Sequence, residues 1–178
     1  MKKGKKKWIF VVLISILVIF VIGAIVIRTN DELRFKFSYG MMNYIPYENG
    51  EKIVIDIPFD NGIKYLEGKE IIDAFTTETG IIYLGYSSCP WCRNIIEPLI
   101  EVAKENDIDT IYYVNTYDNE FDSIKGELKE ILNDYLRVDE ETNQKVLATP
   151  DVYFIKDGKI KTHHISTCLL YTSDAADD

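Results

Sequence analysis

The sequence predicts an α/β domain, a central mixed sheet flanked by helices, carried behind one N-terminal transmembrane helix. Three observations predict it. Residues 8–27 are twenty consecutive uncharged residues preceded by five lysines. From residue 81 to 165, short apolar runs alternate with apolar residues at helical spacing, in the order β-α-β-α-β-β. A Cys-x-x-Cys pair, Cys89-Pro90-Trp91-Cys92, stands where one such run gives way to a helical pattern.

A chain of 178 residues has room for one globular domain and a short appendage. Its 47% hydrophobic content, with 12% aromatics, is ample for a core. The charge is uneven. Residues 1–28 carry six basic side chains and no acid, a formal +6; with −9 overall, residues 29–178 carry −15. So acidic a domain repels phosphate backbones, which argues against a nucleic-acid partner.

The N-terminal elements follow from this pattern. Residues 1–7 read as a cytoplasmic basic segment and 8–27 as a transmembrane helix, about 30 Å long and therefore able to cross a bilayer core. A cleaved signal peptide is the alternative. Its apolar region is usually about 7–15 residues and ends at a small-x-small site, and neither feature is found here. Lysines stay on the cytoplasmic side, so a single-pass topology in the cell membrane places the rest of the chain outside. There, disulfides persist. Residues 28–50 read as a stalk or N-terminal extension, with enough aromatics to pack in part on the domain.

Residues 51–165 read as that domain. A strand is expected at 52–57, where Ile53, Ile55 and Ile57 alternate, followed by an Asn61-Gly62 turn. A helix is expected at 67–78. The run 81–86 suits a central strand covered on both faces. The helix after Cys92 carries Ile95, Ile96, Leu99, Ile100 and Ala103 on one side, with Pro98 expected to kink it. A strand at 111–114, a helix at 121–136 and a strand at 152–155 come next. The turn Asp157-Gly158 then leads to a returning strand at 159–165. No internal repeat is found.

The cysteine pair carries the chemistry. At a strand-to-helix junction Cys89 takes the helix N-cap, where free N–H groups and the positive dipole end favour a thiolate. Cys92 falls one turn later and partly buried, placed to attack a mixed disulfide at Cys89. Pro90 at the first helical position loses no hydrogen bond. A structural disulfide between these cysteines would close too small a loop to be a useful staple. A zinc site drawn from Cys89, Cys92, His163, His164 and Cys168 lacks a compact knuckle spacing, and adjacent strand histidines point to opposite faces. The histidines read as surface residues of the last strand, and no metal is expected. Trp91 reads either as a substrate contact or as an aromatic packed on the helix start. Acidic runs such as 118–122 read as solvated faces.

Strand, motif and the downstream Thr149-Pro150 together resemble the thioredoxin family over about residues 52–165. The phrase at 80–93, Gly-Ile-Ile-Tyr-Leu-Gly-Tyr-Ser-Ser-Cys-Pro-Trp-Cys-Arg, is similar to membrane-anchored thioredoxin-like proteins of low-GC Gram-positive bacteria, including bacteriocin transport accessory proteins. The resemblance implies that Cys89 is the exposed nucleophile and Cys92 the resolving thiol. It also implies that Pro150 is a cis-proline with Thr149 before it, keeping a backbone edge open for substrate. Pro90 and Trp91 would modulate the pair. Implied partners are protein or peptide thiols and disulfides and a recycling redox partner, with no organic cofactor. A non-enzymatic accessory protein for peptide export or maturation is the alternative.

There are departures. Ser88 and Pro90-Trp91 replace the thioredoxin residues at those places, and Tyr83 stands where that family keeps a buried Asp as proton acceptor. The stretch from Cys92 to Pro150 is longer than in a minimal thioredoxin. The resemblance also implies a last helix after the strand at 159–165, which residues 166–178 are too poor in apolar residues to form. That tail reads as extraneous, with the natural chain continuing past about residue 166 and Cys168 without function. A genuine short tail with a third thiol is the alternative.

Overall fold

The computed structural model describes residues 2–165, with side chains from residue 7 onward. The expected last helix, the tail 166–178 and Cys168 lie outside the described residues. Helix α1, Lys2–Thr29, is apolar on every side after its lysines, and none of its apolar window is buried among the described residues. It is long and apolar enough to cross a membrane.

Asn30 ends it. Its extended backbone and its side chain, which accepts the Leu33 N–H at 2.8 Å, cap a second helix, α2, Asp31–Met41. Asp31 and Glu32 occupy its first turn, where carboxylates suit the positive helix end. They also accept the backbone N–H groups of Tyr65 at 3.0 Å and Gly62 at 2.8 Å. Phe35 and Tyr39 of α2 are fully buried, with the Phe35 ring edge-on to Tyr113 at 4.9 Å. The segment read as a stalk or extension thus holds a helix that contributes to the core.

The strand expected at 52–57 is not one. Ile55 and Ile57 do point inward, so the alternation reports burial. The backbone, however, pairs with side chains instead of a neighbouring strand. Asn43 exchanges two hydrogen bonds with Ile55, at 2.8 and 3.1 Å. Lys36 donates to the Ile57 carbonyl, Glu97 accepts from the Asp56 amide, and Arg93 donates to the Ile53 carbonyl. Strand β1 comes later, as the three residues Ile63–Tyr65.

The remaining elements are α3 (Lys69–Thr77), β2 (Gly80–Gly85), α4 (Pro90–Glu105), β3 (Ile111–Asn115), α5 (Asn119–Ile131), the short pair β4 (Arg137–Val138) and β5 (Lys145–Val146), β6 (Asp151–Lys156) and β7 (Lys159–Ile165). Helix α4 continues through Pro98. The β4–β5 ribbon has no counterpart in the sequence reading. In the main sheet the order is β1-β3-β2-β6-β7, with β1, β3 and β2 parallel and β6 and β7 antiparallel. Alternation along β2 divides the core. Ile81 and Tyr83 face α2 and α4, whereas Ile82 and Leu84 face α3 and α5. Leu84 on β2 pairs with Asp151 on β6, so the end of β2 and the start of β6 share one edge of the sheet.

Candidate dithiol site

That edge carries both sequence-predicted groups. After Gly85 the chain makes one turn, in which the Cys89 N–H donates to the Tyr86 carbonyl at 3.2 Å, and α4 begins. Cys89 is the N-cap of α4 with extended backbone, and Pro90 is the first helical residue. The Cys89 sulfur accepts the Cys92 N–H at 3.3 Å. It therefore lies among the unpaired amides of the helix start, where negative charge is favoured. Cys89 and Cys92 are both free thiols.

The two sulfurs differ in their proton affinity. Cys89 is brought down to about 7, first by the hydrogen bond from the Cys92 thiol, with help from the amides of Cys92 and Trp91 and from the Tyr86 hydroxyl. Burial opposes this. Cys92 is pushed well up, first by its hydrogen bond to Cys89 and then by burial. One thiol is thus poised to ionise near neutral pH while the other keeps its proton.

Burial sets a limit. The resemblance implies an exposed first cysteine, but Cys89 is only 3% accessible and Cys92 is closed off. Trp91 stands out at 58% exposure. Pro150 is buried and Thr149 half-buried at the start of β6, and the peptide between them is cis. Tyr86 and Tyr117 bring their rings to 5.7 Å on the same side of the sheet.

Beneath the sulfurs lies a group of tyrosines the sequence reading did not assemble. Tyr83, at the place of the family's acid, sets its hydroxyl 3.0 Å from that of Tyr39 and donates to the Cys92 carbonyl at 3.3 Å. Tyr113 donates to the Gly85 carbonyl at 3.2 Å. A methyl group on Gly85 would lie 2.6 Å from the Tyr83 oxygen and 3.1 Å from the Cys92 sulfur, so both atoms share the space a side chain would fill. Arg93, beside Cys92, is 1% exposed and donates to the carbonyls of Tyr39, Ile53 and Ser87 and to the Asn43 side chain.

Strand order, strand directions and a dithiol at the junction of β2 and α4 fix the architecture. The fold is thioredoxin-like. The solved structures it resembles are thioredoxins: thioredoxin O1 of Arabidopsis thaliana in its oxidised state, at 19% identity and a TM-score of 0.44, covering 60% of this chain and 87% of that one; thioredoxin O2 of the same plant, at 17% and 0.43, covering 60% and 84%; and thioredoxin of Trypanosoma brucei brucei, at 15% and 0.43, covering 60% and 80%. No protein-family model matches the chain. No curated protein matches it either.

The histidines of β7 are not simple surface residues of this thioredoxin-like sheet. His163 is half-buried and stacks on Tyr153 at 5.5 Å, while His164 lies edge-on to Phe154. Among the described residues no three His, Cys, Asp or Glu side chains converge in a metal-binding arrangement.

Proposed function

We propose that this chain is a membrane-anchored thiol–disulfide oxidoreductase acting through Cys89 and Cys92, with its domain on the outer face of the cytoplasmic membrane. The observation that carries the reading is the Cys89 sulfur at the start of α4, accepting the Cys92 N–H at 3.3 Å and brought down to about 7. The Cys89 thiolate attacks a substrate disulfide, forming one S–S bond and releasing one substrate thiolate. Cys92 then attacks Cys89 and releases the second. Helix α1 and its lysines support the anchor and its orientation. Substrates would be protein or peptide disulfides meeting Cys89 beside Thr149 and Pro150, with Pro90 and Trp91 tuning the pair and a separate redox partner recycling it. On this reading the chain would act as the anchored thioredoxin-like proteins of Gram-positive bacteria do, the group its 80–93 phrase resembles.

Insulin disulfide turnover by the full chain in detergent tests this. Wild-type turnover should exceed that of Cys89→Ser clearly; equal rates would sink the enzyme reading. One observation favours the second reading, an accessory protein that uses the scaffold for binding in peptide export or maturation. At 3% accessibility, Cys89 presents little of its surface to a substrate disulfide.

A further inference from the structure

The second exchange step needs a Cys92 thiolate, and Cys92 is the worse placed of the two described thiols to ionise. It is fully buried, and its neighbour Cys89 opposes a second negative charge. Among the described residues no carboxylate is buried on that side of the sheet to accept its proton. Asp151, the one buried carboxyl among the described residues, is bonded to Tyr153, whose side chain lies with α3 and α5 on the opposite face. The titratable or charged groups around Cys92 are Cys89 on α4, Tyr83 on β2, Tyr86 just beyond it, Tyr113 on β3, Tyr39 on α2, Tyr47 after α2, and Arg93. Arg93 is turned away, onto carbonyls and Asn43.

Of these groups, Tyr83 shares the pocket above Gly85 with the Cys92 sulfur. Either hydroxyl can donate at the 3.0 Å contact between Tyr83 and Tyr39; while Tyr83 gives its one proton to the Cys92 carbonyl, Tyr39 is the donor and Tyr83 the acceptor. Burial pushes both phenols well above their ordinary range, so both stay protonated, and a phenol that keeps its proton acts as a donor. The Tyr83 hydrogen bond to the carbonyl is long at 3.3 Å, and a thiolate is a stronger acceptor than a carbonyl.

Resting on the dithiol reading above, we infer that Tyr83, pinned by Tyr39, is a positioning residue for resolution: its hydroxyl turns from the Cys92 carbonyl to the Cys92 sulfur and stabilises the thiolate formed there. The Cys92 electron pair then forms the S–S bond to Cys89, and the bond between Cys89 and substrate breaks. The departing sulfur carries away the electron pair and takes up the proton that Cys92 lost, directly or through buffer. The substrate disulfide is reduced by two electrons and the dithiol is oxidised. Tyrosine in this role stabilises a charge that forms transiently, where a carboxylate would remove a proton outright.

The test uses the reduced full chain in detergent, in a Cys168→Ser background, mixed with dithiobis(nitrobenzoate). Each exchange step releases one coloured thiolate, so attack by Cys89 and resolution by Cys92 appear as successive phases. Tyr83→Phe should leave the first phase within twofold. It should slow the second by about tenfold, the size expected for losing a hydrogen bond to a charged group. The pH midpoint of the second phase should also move upward, which a packing defect alone would not cause. A second phase with unchanged rate and midpoint overturns the inference. A missing first phase in the parent protein overturns the dithiol reading instead. If Tyr83→Phe does not fold, Tyr39→Phe leaves the Tyr83 hydroxyl in place but unpinned. It should slow resolution by a smaller factor, and no slowing there overturns the inference as well.

Discussion

The guanidinium of Arg93 donates to the carbonyl of Tyr39 at 2.7 Å, joining the dithiol helix α4 to α2, the helix that follows α1. The same group reaches the carbonyls of Ile53 and Ser87 and the side chain of Asn43. One buried cation thereby closes three chain segments around the start of α4. Its partners are all neutral, so its desolvation is offset by hydrogen-bond count and geometry instead of by an opposite charge.

Arg93→Lys tests that arrangement. An ammonium keeps the charge but presents a point where the guanidinium presents a fork, so several acceptors lose their donor. The variant should be less stable by about 2–4 kcal/mol, read from the midpoint of urea unfolding. A loss below about 0.5 kcal/mol would show that the network holds nothing together.

Helix α2 belongs to the folding unit. Phe35 and Tyr39 are fully buried, and their rings lie 4.3 Å apart within the cluster that contains Tyr113 and Cys92. Tyr39→Ala should cost about 3–5 kcal/mol. A fragment beginning at residue 51 loses both rings and the caps on Gly62 and Tyr65, so it should fail to unfold cooperatively, whereas one beginning at residue 30 should do so. Urea titrations of the two fragments decide between these outcomes.

The parts of this fold that were legible in the sequence are those written in local pattern. The buried run of β2, the helical spacing from Ile95 to Ala103 and the Asp157-Gly158 turn each specify an element without help from distant residues. Other parts depended on partners far along the chain. Ile53, Ile55 and Ile57 alternate as a strand does, but Asn43, Arg93, Lys36 and Glu97 take the backbone groups that a neighbouring strand would use. Strand β1 is three residues long, too short for its alternation to stand out in the sequence. Helix α2 had a readable start in Asn30-Asp31-Glu32, a cap followed by acids, masked by the aromatic content beyond it. At the site, the cysteines could be found from spacing. The pairing of Tyr83 with Tyr39 could not, because 44 residues separate them.

Alkylation should report the asymmetry of the cysteines. Only the thiolate reacts, so the rate at Cys89 should rise with pH, reach half its maximum near pH 7 and level off above it. An ordinary thiol would reach that point near about 8.5. Cys92→Ala removes the largest influence holding Cys89 down, and the midpoint should move up towards the ordinary value. Iodoacetamide kinetics in a Cys168→Ser background measure both, and an unmoved midpoint in Cys92→Ala would assign the effect to the helix amides alone.

Asp151 sets a pH dependence of stability that is independent of the cysteines. Its side chain is 1% exposed, with one oxygen 2.5 Å from the Tyr153 hydroxyl and the other without a partner among the described residues. Burial pushes it up to about 7, against the pull of the Tyr153 hydrogen bond. Between about pH 4, where the unfolded carboxyl ionises, and pH 7, the folded protein holds a proton that the unfolded chain has released. Stability should therefore fall as pH rises through that window and stay level beyond it. Asp151→Asn keeps an acceptor for Tyr153 and cannot ionise, so it should flatten the slope and be more stable than wild type at pH 8, by up to about 4 kcal/mol. Urea unfolding from pH 4 to 8 measures this. Parallel pH profiles for the two proteins would mean that Asp151 ionises in the fold as it does in water.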